Sequence, residues 1–97
     1  MAIHFEWDET KALANKAKHG VSFRSALAVF LDAHALDRHD KGDHTEDRFV
    51  TLGLVQGYLL VVVYTLRHDA VRLISAREAT RHEAIPYWKH RSIHARP

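Results

Sequence analysis

At 97 residues the chain holds one domain, and its 46% hydrophobic and 27% charged residues are ordinary globular usage, which argues against disorder. Without cysteine it forms neither disulfides nor thiolate metal sites, and a reducing compartment suits it. The longest apolar run, 59–64, is far short of the about 20 residues that span a bilayer, and residues 1–6 show neither a basic stretch nor an apolar stretch of a secretion signal.

The expectation is therefore a cytoplasmic protein with no membrane segment. Its net charge of +2 is unevenly spread. Residues 1–47 carry six Lys/Arg against nine Asp/Glu, whereas residues 48–97 carry eight against three. A basic second half attracts a polyanion or an acidic protein segment, although a solvated basic surface gives the same count.

In chain order, the first predicted element is a helix. Asp8 is a good N-cap for residues 10–18, and Gly20 supplies the left-handed position that ends it. Leu13 and Ala17 mark its expected buried stripe, with Trp7 closing over one end. Ser22 caps a second helix, on which Phe23, Ala26, Leu27, Phe30 and Leu31 fall at the spacing of one apolar face. Residues 35–38 read as a short edge strand and 39–47 as a polar loop. Strands follow over 49–55 and 58–66, separated by the turn signal Gln56-Gly57, and a third over 71–75 after a turn at His68-Asp69. Thr80 and Glu83 form a capping box for a third helix, which Pro86 should kink or break, and residues from about 91 should fray.

This order predicts a single α+β domain over 1–97 with its core at about 3–90. Two N-terminal helices pack on one face of a three- to four-stranded antiparallel sheet, and a C-terminal helix follows. The other sheet face then needs a partner or holds a polar site.

The residues Phe5-Glu6-Trp7-Asp8, Lys11, Asn15, Lys18-His19-Gly20-Val21 and Phe23 resemble the opening of BrnT toxins. Val29-Phe30, Asp32, Arg48-Phe49, Gly53, the 60–65 strand, residues 72–77, Ala79-Thr80-Arg81 and Glu83 follow in the same order, so the resemblance covers about 3–88. Pro86 and the His-rich stretch 89–94 depart from the family pattern. The resemblance implies a RelE-like fold and a ribonuclease that stops translation without a cofactor. It also implies a type II partner, a BrnA-type ribbon-helix-helix antitoxin in a 2:2 heterotetramer, with operator DNA bound only through the antitoxin.

Metal-independent RNA cleavage needs a base for the 2′-hydroxyl, charge stabilisation at phosphorus and an acid for the leaving 5′ oxygen. Arginine suits the middle task because its planar fork matches phosphate oxygens. The candidate catalytic residues are Arg72, Arg77, His19 and Lys18; the candidate RNA contacts are Arg48, Arg81, Trp7, Tyr64 and Thr80. For this to work, the arginines must converge beside the last strand. Strict alternation puts Arg72 and Ile74 on one face, which conflicts with a simple apolar and polar division. Each candidate also has a structural reading: solvated arginines at strand ends, cations favoured at a helix C-terminus for Lys18 and His19, and a core plug for Trp7. Among nine histidines, His34, His39 and His44 recur every five residues and His90 and His94 are four apart, spacings that do not form a recognisable metal motif. The competing reading is a non-catalytic module that binds nucleic acid or antitoxin.

Overall fold

The computed structural model describes residues 3–42 and 46–94. In chain order its elements are β1 (His4–Glu6), α1 (Glu9–His19), α2 (Phe23–Ala26), a 3₁₀ segment (Leu27–Leu31), β2 (Leu36–Asp40), β3 (Arg48–Val55), β4 (Tyr58–Arg67), β5 (Ala70–Glu78) and α3 (Arg81–His94). The fold is α+β as expected, but the sheet has five strands in the order β1-β5-β4-β3-β2, with β1 parallel to β5 and the other pairs antiparallel. A three-residue strand is too short to show an alternating pattern, and β1 exists because β5 lies alongside it.

Both helix caps foreseen for α1 are made. The Asp8 carboxylate accepts from the N–H groups of Thr10 and Lys11, and Gly20 closes the helix at φ 73°. The buried face is not the one expected, because Leu13 is 70% exposed and Ala17 is also exposed. Asn15 is buried instead. Its amide donates to the Ala76 carbonyl at 2.8 Å and to the Val21 carbonyl at 3.0 Å, and accepts from the Ala76 N–H at 3.1 Å. Strand β1 pairs with β5 only from Ala70 to Arg72, so further along this edge the Asn15 amide takes the place of a neighbouring strand. Leaving both Ala76 groups unpaired would cost more than exposing one leucine.

The second predicted helix holds its α form for only four residues before tightening to 3₁₀ geometry. With about three residues per turn, the core-facing positions become Phe23, Ala26 and Val29, all essentially inaccessible, while Leu31 turns outward. Gly53 makes this close approach possible, since a Cβ there would lie 3.0 Å from the Val29 Cβ. These side chains pack with Val55, Leu60, Val62, Leu73 and Ala76 to form the core on the first sheet face.

Between Val63–Ser75 and Tyr64–Leu73 the register of β4 with β5 shifts, leaving Ile74 as the extra residue of a bulge. This resolves the conflict at Ile74. Leu73 and Ala76 both face the core despite their odd spacing, and Arg72, Ser75 and Arg77 all face the other way.

The capping box forms as predicted: Thr80 N–H donates to Glu83 Oε1 at 2.9 Å, and Glu83 N–H to Thr80 Oγ1 at 3.2 Å. Pro86, however, does not end the helix, which continues to His94 and so passes residue 91 as well. Proline removes one bond to the His82 carbonyl, but both residues are exposed and water can satisfy that group. Beyond the proline, the fully buried Tyr87 anchors the helix. Its hydroxyl donates to Asp32 and accepts from Arg91 Nη1, and Asp32 also accepts from the Leu54 N–H at the edge of β3. Tied to Arg77 of β5 at one end and to Asp32 at the opposite edge, α3 crosses the second sheet face. The helices therefore occupy both faces.

Candidate nucleic-acid interface

The half of the second face next to the β4–β5 turn carries a polar row with one residue from each strand. Register pairs Asp40 with Arg48, Thr65 with Arg72 and Arg72 with Glu6. Arg48 and Thr65 lie one step beyond the Phe49–Tyr64 pair. At about 4.8 Å between strands, the Arg48 and Arg72 backbones are about 10 Å apart, with Thr65 between them. Thr65 is buried, and its hydroxyl donates to the Asp47 carbonyl at 2.6 Å, which ties the start of β3 to β4.

Arg72 Nη1 donates to Glu6 Oε2 at 2.6 Å, so one of its donors is engaged and its head is held in place. Arg48 differs: its Nε is buried and has no hydrogen-bond partner among the described residues. A buried N–H without an acceptor costs about 1–3 kcal/mol.

Arg77 shares this face but stands about 15 Å further along β5, beside the start of α3. Both its terminal nitrogens donate to Glu83, each at 2.7 Å. That fork, with the Thr80 N–H, draws the Glu83 carboxyl down to about 2, against the smaller opposing effect of burial. The Arg77 pKa is correspondingly raised by its bond to Glu83. Arg81 is exposed at the first residue of α3.

The sequence matches, over residues 7–83, the family described as "Ribonuclease toxin, BrnT, of type II toxin-antitoxin system". The chain belongs to the BrnT toxin family. No curated protein matches it. The matched span includes every residue named above for the polar row and the α3 start except Glu6, which immediately precedes it.

In this BrnT toxin the nine candidate residues do not gather in one place. Arg48 and Arg72 share the row, Arg77 is at a distance on the same face, and Thr80 and Arg81 begin α3. His19 and Lys18 end α1, which packs toward the first face. There His19 lines a cavity of about 320 Å³ with Lys16, Ser22, Tyr58 and Glu78. Trp7 packs edge-on against Phe23 and its indole N–H donates to Glu9, so it closes the core. Tyr64 sits between Phe30 and Phe49, also on the first face. His44 lies outside the described residues, and no group of His, Asp or Glu suited to a metal ion occurs among the described ones.

Two features escaped the sequence reading. Glu6, as the partner of Arg72, depends on a strand too short to foresee. The Asp32–Tyr87–Arg91 cluster joins residues far apart in the chain. Burial alone would raise the pKa of Asp32, but the Tyr87 hydroxyl, the Leu54 and His34 N–H groups and the Arg91 charge outweigh it and hold the carboxyl low. Tyr87 is pushed up by burial and by its bond to Asp32.

Proposed function

We propose that this BrnT toxin is a metal-independent endoribonuclease that stops translation by cleaving RNA on the row formed by Arg48, Thr65, Arg72 and Glu6. The carrying observation is that Arg48, with its unpartnered Nε, and Arg72, with its guanidinium held by Glu6, stand in one row on the same sheet face, two strands apart. Two guanidinium groups brought to one phosphate would stabilise the charge that grows as the 2′ oxygen attacks phosphorus. Glu6 is the carboxylate placed to take the 2′-hydroxyl proton, and the 5′ oxygen leaves with a proton from water. The exposed Arg81 extends the cationic track to the start of α3, while Arg77, neutralised by Glu83, positions that helix end. This reading gives no part to His19, Lys18, Trp7 or Tyr64, whose surroundings account for them structurally.

Incubation of the purified chain with RNA and EDTA tests the proposal. The parent should yield fragments, and Arg48→Ala, Arg72→Ala and Glu6→Gln should each cleave about a hundredfold more slowly while remaining folded. Undiminished cleavage by Arg48→Ala and Arg72→Ala removes the row as the active surface; RNA binding without cleavage by the parent reduces it to a binding surface.

A type II family implies a protein antitoxin. We propose that it is a BrnA-type ribbon-helix-helix protein, that its own dimer organises a 2:2 heterotetramer, and that operator DNA is bound through it. Light scattering of the co-expressed pair would give the stoichiometry.

A further inference from the structure

The inner side of α3 is spent on the fold: Glu83 holds Arg77, Tyr87 is fully buried, and Arg91 reaches Asp32. Its outer side is not. Ile85 and Trp88, one turn apart, are 57% and 47% exposed. Leu31, 86% exposed, lies one residue from the Asp32 to which the helix is tied. An indole with half its surface in water beside an isoleucine is unfavourable on a protein that works alone. The charges around it are of one sign. Arg91 stands over the Trp88 ring with its carbon 6.0 Å from the centroid, and Lys89 and Arg81 are exposed. The only acid on α3, Glu83, is turned inward and paired.

We infer that the Ile85–Trp88 face of α3 is the docking surface for an acidic amphipathic segment of the antitoxin. Its apolar residues would cover Trp88 and Ile85, and its carboxylates would meet the exposed Lys89. Tryptophan and arginine together are the residue types that dominate binding energy at protein interfaces. A single-stranded RNA would also find cations here, but the isoleucine at i−3 offers nothing to a nucleotide, so the apolar pair favours a protein. The inference rests on the family's toxin–antitoxin character and is independent of the proposed cleavage row.

The chain has two tryptophans, so Trp7→Phe leaves Trp88 as the sole indole reporter. Titrating that full-length variant with its purified cognate antitoxin should shift the Trp88 emission to the blue and saturate. In the parent background, Trp88→Ala and Ile85→Ser should each weaken antitoxin binding roughly 30-fold. Lys89→Glu should weaken it mainly at low salt. All three substitutions are on exposed positions, and circular dichroism would verify that they fold; RNA cleavage by Trp88→Ala should equal that of the parent. Antitoxin binding within threefold of the parent in both Trp88→Ala and Ile85→Ser overturns the inference, as does a Trp88 signal that responds to RNA and not to antitoxin. If antitoxin binds through Trp88 while the parent cleaves no RNA, the docking surface stands and the cleavage proposal falls.

Discussion

The Asn15 side chain uses its donors and its acceptor on backbone groups of Ala76 and Val21, one of which is 61 residues away in sequence. Asn15→Ala would strip partners from an N–H and two carbonyls at once, and should cost about 3 kcal/mol. A urea midpoint unchanged from the parent would show that water replaces those bonds without loss. In the sequence Asn15 is only a middling helix former in the centre of a helix, and nothing marks which backbone it serves. The arginines teach the same lesson. Arg72 and Arg77 are five apart, a spacing that puts them on opposite faces of a regular strand, and only the extra residue Ile74 returns both to one face.

At the level of elements, α3 shows how a locally legible signal gains a distant partner. The capping box of Thr80 and Glu83 could be read from four residues, whereas the grip of Glu83 on Arg77 needed β5 to present that guanidinium beside the helix start. The Glu83 carboxyl, held at about 2 when folded, returns to about 4.5 when unfolded. Because its folded pKa is the lower one, the unfolded chain binds more protons, and stability falls as the medium is acidified. The contribution is complete above about pH 4.5 and is lost as the pH drops toward 2. Glu83→Gln should therefore unfold at lower urea than the parent at pH 6, by about 1–2 kcal/mol given that both partners are about one-third exposed. The difference should close between pH 4.5 and 2, and a gap that does not change with pH would mean the ion pair contributes nothing. The second helix failed differently. Its apolar residues fit a 3.6-residue period as well as a three-residue one, and the close packing of Val29 on Gly53 selected the latter.

For the whole molecule, the basic second half of the sequence becomes a directional feature, since β4, β5 and α3 all come from it and β3 begins with Arg48. If Arg48 and Arg72 hold one phosphate between them and Arg81 meets a second, the logarithm of affinity for single-stranded RNA should fall with the logarithm of salt concentration at a slope of about −1.4. Arg81→Ala should reduce that slope by about 0.7, and salt-independent binding would show that none of the three guanidinium groups meets a phosphate. The sequence by itself determined the α+β class, the caps of α1 and α3, the β3–β4–β5 meander and the family, because each is written in neighbouring residues or in a motif. Tertiary structure alone decided the fifth strand, the face of α1 that is buried, the placement of α3 across the second face and the separation of His19 from Arg72. Those features come from backbone groups seeking partners across the sheet, a demand that depends on which strands end up adjacent and in what register.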